Sequence, residues 1–490
     1  MITIDFEKKG NLSLTDFLFE SIKNLISENK LKNQEKLPSK RALASHLGIS
    51  VITVQNAYLR LIDEGYIYSI EKKGFFVSDF ASQFHKSVEK KSEINYSVPE
   101  SKKYFTDFAS NSTSLEKFPF TLWSHTMRQV LNGQNENLLK RTNVFGSLEL
   151  RKAICKYLSD FRNLEVNENQ IIIGAGTESL YSMLVQFLGR NQRIAVENPG
   201  YHKAYEIFRL NGLECFPVDI DEKGIIVSEL EKINANVVHV SPSHHFPTGI
   251  ITDFKRRSEL LDWAKKSEDR FIIEDDYDSE FRFAGKPLPI LQSIDNFGKV
   301  VYINTFSKTL SPSFRISYMV LPERLVEAFA QKLGFYSCQV SSFEQLTLAK
   351  FIEDGFYEKH INKMKNYYRS LRNNLITALK KTELSKIAEI KEETAGLHFL
   401  LAIKSDFDEK TLQQRFRNCG INISLLSDYY YEKGDRPLEK GDRPLTVQSS
   451  LAGGDRPLEK ISTFVINYSG IENSKISETV KRMCLAVFEK

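Results

Sequence analysis

Apolar residues at helical spacing predict two neighbouring helices near the N-terminus. In the stretch LPSKRALASHLGISVITVQNAYLRLIDEGYI they recur every three or four positions on both sides of Gly48-Ile49-Ser50. Ser39 and Ser50 stand where N-caps are expected, and Gly65 is placed to end the second helix. The faces expected to meet consist of Ala42, Leu43 and Leu47 on one helix and Val54, Ala57, Tyr58 and Leu61 on the other. This spacing is typical of a helix-turn-helix.

The residues after this helix pair predict a β-hairpin in the position of a wing. Residues 66–77 alternate around a tip formed by Lys72, Lys73 and Gly74. Residues 36–62 contain four Lys and Arg side chains and no acidic residue. In winged helices the second helix enters the major groove while the first helix and the wing contact phosphates. An ordinary helical hairpin with a solvated basic face is the alternative, and the coincidence of helix pair, wing and acid-free stretch favours binding to double-stranded DNA.

Short apolar runs separated by longer helical stretches predict a second, larger domain. The runs lie at residues 171–173, 194–196, 215–218, 237–240, 271–273, 300–303 and 316–320. Buried strands that alternate with helices indicate an α/β fold with a seven-stranded, mostly parallel sheet. From about Phe351 the pattern returns to helices and a few strands, which is typical of a small α+β domain.

Composition shifts along the chain predict its organisation. We expect a DNA-binding domain at residues 1–77, a polar and charged linker at 78–104, and the α/β domain at 105–490. The string GDRPLEK occurs at 434–440 and again at 454–460, with GDRPL between them at 441–445. We interpret residues 434–460 as an inserted surface loop that carries a short repeat.

Overall composition excludes several classes of protein. The 490 residues carry 67 Lys and Arg against 63 Asp and Glu, a net charge of +4, which is too balanced for a chain that coats nucleic acid along its whole length. The N-terminus has no apolar signal core, and no segment has the length of apolar residues that a membrane span requires. The five cysteines are scattered without zinc or disulfide spacing. We therefore expect a cytoplasmic protein with no membrane partner.

The residues that follow three of the predicted strands suit pyridoxal phosphate chemistry. Lys308 follows the strand at 300–303 among hydroxyl side chains, and Arg315 lies seven residues further on, so an amine for an aldehyde accompanies a cation for a phosphate. Asp275 ends another strand and can pair with a pyridine nitrogen at the same sheet edge. The turn Gly174-Ala175-Gly176-Thr177 opens a helix whose backbone N–H groups can bind an anion.

Metal binding is the weaker interpretation of the remaining polar clusters. Asp276, Asp278 and Glu280 alternate along a short segment, which more often indicates solvated charge than ligation. His244 and His245 form a pair in a loop beside the phosphate pocket, where hydrogen bonding is the commoner role. We therefore predict no metal site.

Residues 14–77 resemble the winged-helix domain of GntR-type regulators. The matching positions are Leu37-Pro38-Ser39, Arg41, Leu47-Gly48-Ile49-Ser50, Thr53-Val54, Glu64-Gly65 and Gly74. The resemblance implies that Ser39 and Arg41 hold phosphates and that Ser50, Thr53 and Gln55 lie at the groove. The chain departs from the family at Val51 and Ile52, where Arg and Asn are common. Val51 cannot make a bidentate guanine contact, although it can touch a thymine methyl group.

Residues 105–490 resemble the fold-type I aminotransferase domain, and Glu274 to Phe281 together with Ser243-His244-His245-Phe246-Pro247-Thr248-Gly249 resemble the MocR subfamily of the GntR regulators. The resemblance implies a pyridoxal phosphate aldimine at Lys308, with Asp275 on the pyridine nitrogen and Tyr277 on the ring hydroxyl. Around the phosphate it implies Gly176, Thr177, Glu178, Thr305, Ser307 and Arg315. Tyr201, which follows Asn198-Pro199-Gly200, is expected to stack on the ring.

The resemblance implies a homodimeric transcriptional regulator that senses pyridoxal phosphate, or an amine effector, through Lys308. Two departures bear on this function: Val465 stands where aminotransferases commonly have an arginine for the substrate carboxylate, and Glu178 replaces a frequent glutamine. Two alternatives stay open. One is an aminotransferase that acts on an amino acid or amine, and the other is a DNA-binding protein that needs no cofactor.

Overall fold

The structure is a computed structural model that describes residues 2–10, 12–79, 103–110, 112–133, 135–283, 289–391, 395–431 and 460–489. By its internal contacts the chain divides into two compact units, residues 1–102 and 103–490. Most of the predicted linker and nearly all of the predicted repeat-bearing loop at 434–460 lie outside the described residues.

The elements have the following bounds. The helices are α1 (Leu14–Ser27), α2 (Lys40–Leu47), α3 (Val51–Asp63), α4 (Phe120–Gly133), α5 (Asn135–Leu139), α6 (Leu148–Arg162), α7 (Thr177–Leu188), α8 (His202–Leu210), α9 (Val227–Lys232), α10 (Phe254–Lys265), α11 (Glu323–Leu333), α12 (Ser342–Glu353), α13 (Phe356–Lys380), α14 (Glu409–Asn418) and α15 (Ile476–Phe488). The strands are β1 (Ile67–Ile70), β2 (Gly74–Val77), β3 (Thr106–Asp107), β4 (Ile171–Gly174), β5 (Arg193–Asn198), β6 (Glu214–Asp221), β7 (Gly224–Ile225), β8 (Val237–Val240), β9 (Phe271–Asp276), β10 (Val300–Thr305), β11 (Ser317–Val320), β12 (Ala388–Lys391), β13 (His398–Ser405), β14 (Ile421–Asn422), β15 (Ser424–Leu425) and β16 (Lys460–Asn467).

The first unit packs α1, α2 and α3 against the antiparallel hairpin β1–β2. The Oγ atoms of Ser39 and Ser50 accept backbone N–H bonds and begin α2 and α3, as the sequence predicts. The turn between these helices uses Gly48 at φ +67°, a left-handed conformation that glycine adopts without steric cost. One predicted core residue is wrong: Ala42 is exposed, and Ala44 is buried instead, because α2 turns its Leu43 and Ala44 toward α3.

The second unit is built on a large mixed sheet, which among the described residues has eight strands in the order β4-β11-β10-β9-β8-β5-β6-β7. The seven predicted strands are all present, and β7 is an additional two-residue strand at one edge. Neighbours from β10 to β6 pair in parallel, whereas β11 runs antiparallel to both β10 and β4. The prediction of a mostly parallel sheet is confirmed.

Helices cover both faces of this sheet because its strands are apolar on both sides. Ile172 packs in one cluster with Leu180 of α7, whereas Ile171 and Ile173 pack in another with Ile154 of α6. The C-terminal part forms a smaller α+β layer, in which the sheet β12-β13-β16-β15 packs against α13, α14 and α15. None of the described helices combines the length and the apolarity needed to cross a membrane.

The strand directions bring several loops to one edge of the large sheet. Strands β4, β8, β9 and β10 run the same way, so their carboxyl ends, at Gly174, Val240, Asp276 and Thr305, meet there. In open α/β sheets ligands bind outside the carboxyl ends of the strands. The predicted cofactor residues follow these strand ends.

Candidate cofactor cavity and DNA-binding surface

A cavity of about 280 Å³ opens at the carboxyl edge of the large sheet. Nine of the ten predicted cofactor residues line it, namely Lys308, Asp275, Tyr277, Tyr201, Thr177, Glu178, Thr305, Ser307 and Arg315. The tenth residue, Gly176, comes directly before Thr177, the first residue of α7. The sequence analysis did not place Lys203, Ser241, Phe246 and Pro312 in the lining. Ser241 directly follows β8, so the strand-end rule that located Asp275 could also have found it.

Lys308 lies three residues beyond the end of β10, with only 8% of its surface exposed. Burial lowers the pKa of its amine to about 8, and the carboxylate of Asp278 acts in the opposite direction. A lysine with a lowered pKa has more neutral amine near pH 7, which is the nucleophilic form. The side chain is therefore suited to attack an aldehyde.

Asp275 is buried near the end of β9, beside two polar groups that the sequence analysis missed. Its Oδ2 accepts a hydrogen bond of 2.5 Å from the hydroxyl of Tyr181 on α7, and Nε2 of His239 on β8 lies 3.5 Å away. Its Oδ1 has no hydrogen-bond partner among the described residues. A buried unpaired carboxylate oxygen is costly and rare, so this atom is available to a cationic donor such as a protonated pyridine nitrogen.

Tyr277 joins the cavity to a buried histidine and aspartate cluster. Its hydroxyl lies 3.2 Å from Nδ1 of His244, which is 3.0 Å from Oδ2 of Asp278. Burial raises the pKa of the Tyr277 phenol well above its ordinary value, and the charge of Asp278 adds to this, so the hydroxyl stays protonated and can donate. His398 lies within reach of the same cluster, yet its Nε2 is bonded to the carbonyl of Pro247 at 3.1 Å. These groups form a buried hydrogen-bonded network. His244, Asp278 and His398 are also close enough together to hold a metal ion, so the absence of a metal site stays a prediction.

The turn before α7 and the segment after β10 form the anion-binding end of the cavity. Gly176 has φ +86°, and a Cβ atom there would collide with the guanidinium of Arg315. Nη2 of Arg315 also lies 3.4 Å from the carbonyl of Ala175. The free N–H groups at the start of α7 and the Arg315 cation therefore face the same space, the arrangement that phosphate groups favour. Thr305 is tied by a 2.8 Å hydrogen bond from Ser317, which fixes the loop.

Glu178 places a negative charge at this same end. Its Oε2 lies 3.1 Å from Nη2 of Arg315, and its Oε1 forms an ion pair with Nζ of Lys203. The hydrogen bond from Lys203 and the charge of Arg315 hold the pKa of the carboxyl below its usual range. Glu178 therefore stays ionised at neutral pH and occupies cations that a phosphate would use.

A second buried pair lies behind the cavity wall, at Glu197 and His245. Oε2 of Glu197 accepts the Ser241 backbone N–H at 3.0 Å and lies 3.5 Å from Nε2 of His245. Burial raises the pKa of Glu197 to about 8, whereas burial and the nearby His244 lower the pKa of His245 to about 3. Both side chains are therefore neutral at pH 7. Sequence patterning gave no sign of Glu197, since nothing marks one carboxylate in an apolar strand as protonated.

Apart from the Glu178 carboxylate, three features of the donor set fit pyridoxal phosphate. Oδ1 of Asp275 lacks a partner in the described part of the chain, Gly176 leaves the space that a Cβ would fill, and Lys308 has a depressed pKa. When bound, this cofactor supplies an electron sink through its ring. Tyr201 lines the cavity with its side chain 37% exposed and its ring edge-on to Phe246 at 6.1 Å.

In the first unit, the residues predicted to hold phosphates lie at the beginning of α2, and the predicted groove residues lie at the beginning of α3. Arg41, Ser50 and Gln55 are exposed. Oγ of Ser50 lies 2.8 Å from Oγ1 of Thr53, and Nζ of Lys40 donates to Oε1 of Gln55 at 3.3 Å. Ser39, expected at a phosphate, uses its Oγ to accept the Ala42 N–H at 3.2 Å and begin α2.

The predicted wing residues lie on the tight turn between β1 and β2. Lys72 and Lys73 are exposed, and Gly74 begins β2. Nζ of Lys40 is 5.9 Å from the ring centroid of Phe75, so the hairpin lies beside the start of α2. The hairpin and the start of α2, which both carry basic side chains, thus lie side by side in this unit.

Known families match both units. Residues 14–77 match the bacterial regulatory proteins of the gntR family, and residues 104–434 match the family of aminotransferases of class I and II. The HTH-type transcriptional regulator YdeL of Bacillus subtilis is 37% identical over 430 residues, covering 88% of this chain and 92% of YdeL. The chain belongs to the MocR-type regulators of the GntR superfamily.

Two further relatives of this MocR-type chain carry more specific descriptions. The probable rhizopine catabolism regulatory protein MocR of Rhizobium meliloti is 28% identical and covers 84% of this chain and 86% of its own length. The pyridoxine biosynthesis transcriptional regulator PdxR of Corynebacterium glutamicum is also 28% identical, over 85% of this chain and 89% of PdxR.

Solved structures agree on the fold of the larger unit. The kynurenine aminotransferase of Pyrococcus horikoshii superposes with a TM-score of 0.64 at 22% identity, covering 79% of this chain and 91% of the enzyme. The multiple substrate aminotransferase of Thermococcus profundus superposes with a TM-score of 0.65 at 23% identity, covering 80% of this chain and 92% of the enzyme. The MocR-type chain therefore combines a GntR DNA-binding domain with a fold-type I aminotransferase fold, which implies pyridoxal phosphate as its cofactor.

Proposed function

We propose that this regulator binds pyridoxal phosphate covalently through Lys308 and that occupancy of the cavity changes its binding to operator DNA. The observation that carries the proposal is the convergence of nine predicted cofactor residues on one cavity around a buried lysine with a lowered pKa. A ligand shifts a conformational equilibrium only if it binds one state more tightly than the other. The DNA-bound and free forms must therefore differ in their affinity for the cofactor.

The effector is pyridoxal phosphate itself or an amine that reacts at Lys308. Two observations favour the cofactor: Val465 is a buried apolar residue of β16, so it offers no clamp for a carboxylate, and PdxR is described as a regulator of pyridoxine biosynthesis. Lys203 favours the amine, since it is a cation in the cavity lining that can meet a second anionic group. Pyridoxal phosphate is the effector to test first.

We also propose a homodimer. Large apolar side chains are exposed on α4, α5 and α12 and on the loop before α12, at Leu131, Leu139, Phe343 and Phe335. The three helices contact one another, and apolar side chains exposed in one region of the surface are typical of protein interfaces. A two-fold dimer would present two winged helices to paired half-sites. Sedimentation of the wild type and of Leu139→Glu tests the proposed dimer. A monomeric wild type would contradict the proposal.

The decisive experiment measures binding of the full chain to the DNA flanking its own gene, at fixed physiological salt, with and without pyridoxal phosphate. We expect specific binding whose affinity or footprint changes with the cofactor in the wild type but not in Lys308→Ala. Specific binding that ignores the cofactor in both proteins would refute pyridoxal phosphate as effector and direct the search to amines.

The aminotransferase alternative makes a different prediction. A screen of amino donors with the cofactor-loaded protein should then show steady turnover that disappears in Lys308→Ala. Formation of a bound-cofactor absorbance band without turnover for any donor would favour the regulator. The absence of that band in the wild type would favour a DNA-binding protein that needs no cofactor.

A further inference from the structure

The solvent face of α3 begins with two exposed aliphatic side chains. Ile52 is 71% exposed and Val51 is 42% exposed, and they are the first two residues of the helix. The buried side of α3 consists of Val54, Ala57, Tyr58 and Leu61. Residues along a helix are separated by about 100° around its axis, so Ile52 lies opposite the buried side of α3. Val51 lies at the edge of the buried side, in line with Tyr58, and its exposed part lies at the beginning of the helix.

The polar side chains of the same helical turn already have partners within the chain. Oγ of Ser50 accepts the Thr53 N–H at 3.0 Å, and the two hydroxyl oxygens lie 2.8 Å apart. Oε1 of Gln55 accepts from Lys40 at 3.3 Å. The first two residues of α3, Val51 and Ile52, thus offer a base edge aliphatic carbon and no side-chain hydrogen-bonding group.

The charge around this surface identifies the kind of partner. Residues 36–62 contain no acidic side chain, and at the start of the neighbouring helix α2 Arg41 is exposed and Lys40 is half-buried. A single exposed aliphatic residue is ordinary on a protein surface. Two of them at the start of the second helix of a helix-turn-helix, flanked by basic residues, match duplex DNA, because the first residues of this helix contact base edges in the major groove.

We infer that Val51 and Ile52 are specificity-determining residues that recognise the 5-methyl groups of thymine in the operator. The inference rests on the proposed DNA-reading function and deepens it by naming the base feature that is read. Thymine alone presents an apolar group in the major groove, and aliphatic side chains recognise it by contact. Neither Val51 nor Ile52 is a cation that could bind guanine through two hydrogen bonds. We therefore expect thymine at the base pairs that these two residues contact in each half-site.

The test begins with selection of duplexes from a random library by the full chain, at one salt concentration, with and without pyridoxal phosphate. Each thymine of the enriched site is then replaced by deoxyuridine, which removes only the methyl group and keeps base pairing. Loss of one buried methyl contact should weaken binding about fourfold. We expect this loss at one or more thymines of each half-site.

The variants Val51→Ala and Ile52→Ala connect the effect to these residues. One of them should bind the thymine and deoxyuridine sites equally, because the contact is already lost. Leu59→Ala is the matched control, since Leu59 is 49% exposed on the same helix but lies two turns further on, and it should keep the full sensitivity. Thermal unfolding should show that all three variants fold, as expected for exposed positions.

Three outcomes would overturn the inference in distinguishable ways. Equal binding of deoxyuridine at every thymine by the wild type would refute methyl recognition. A sensitivity that is unchanged in both Val51→Ala and Ile52→Ala would assign it to other residues. Failure to enrich any sequence under either condition would refute the proposed DNA-reading function itself, and the inference with it.

Discussion

Replacement of Glu178 by glutamine should strengthen pyridoxal phosphate binding. In the wild type, the Glu178 carboxylate forms ion pairs with Arg315 and Lys203, the two cations other than Lys308 among the residues that line the cavity. A phosphate that binds Arg315 must compete with this carboxylate and also tolerate its negative charge. Glutamine keeps the size of the side chain and removes the charge, so it releases both cations.

The magnitude follows from the exposure of the groups. The side chains of Glu178, Arg315 and Lys203 are 37%, 47% and 55% exposed, so each ion pair is a surface pair. Such pairs contribute roughly 0.2–1 kcal/mol each. In Glu178→Gln the phosphate no longer competes with these two ion pairs, and it is no longer repelled by a carboxylate, an effect of similar size. Together these changes should stabilise the complex with pyridoxal phosphate by about 1–2 kcal/mol. The dissociation constant should therefore fall about 5- to 30-fold.

An absorbance titration of the apoprotein with pyridoxal phosphate measures this constant directly. Glu206→Gln is the matched control, because Glu206 pairs with Arg209 at 2.7 Å on α8 and does not line the cavity. The gain in Glu178→Gln should shrink as salt is raised, since exposed charges are screened. Weaker binding in Glu178→Gln would refute the reasoning and show that Glu178 positions Arg315 for the phosphate instead.

Three further predictions concern the same region. The rate of cofactor capture, measured by stopped-flow absorbance, should rise as the pH rises through about 8, because the neutral amine of Lys308 is the reactive form. Asp278→Asn should move the midpoint of this rise to lower pH, because the Asp278 carboxylate raises the pKa of Lys308. A rate that does not change with pH would contradict this prediction. Gly176→Ala should weaken cofactor binding at least tenfold in the absorbance titration, because Gly176 has a positive φ and the new Cβ atom would collide with Arg315. Unchanged affinity would show that this turn does not hold the phosphate. The pKa of Glu197 is raised to about 8 in the folded state, so its contribution to stability is full below its ordinary pKa and is lost as the pH rises to 8. In urea unfolding between pH 5 and 8, the free energy of unfolding of Glu197→Gln should therefore rise relative to that of the wild type by about 1.4 kcal/mol per pH unit. Parallel stability curves for the two proteins would refute a protonated Glu197.

The sequence predicted those features that depend on local chemistry. Ser39 and Ser50 located the beginnings of α2 and α3, because a hydroxyl that accepts an N–H bond is a local requirement of the helix end. Seven apolar runs located the strands of the large sheet because parallel strands are buried on both faces. The position of Lys308 beside Asp275 followed from the rule that parallel strand ends share one edge.

Features that depend on three-dimensional packing could not be predicted from the sequence. The pairing of Tyr181 with Asp275 joins residues 94 positions apart on α7 and β9. The strand β7 has only two residues, which is too short for any alternation to detect. The error at Ala42 arose because small residues fit either face of a helix, and only the contact with α3 selects Ala44.

The energetics at Glu178 suit a sensor better than an enzyme. An enzyme gains from a cofactor that is always bound, whereas a site that is saturated at every concentration reports nothing. A sensor needs a dissociation constant near the concentrations it measures, so interactions that weaken the bound state are useful to it. The ion pair of Glu178 with Arg315 is the interaction that we expect to impose such a cost, because Arg315 must exchange a carboxylate for the phosphate. In the sensor that we propose, this cost allows release of the cofactor to change the affinity for operator DNA.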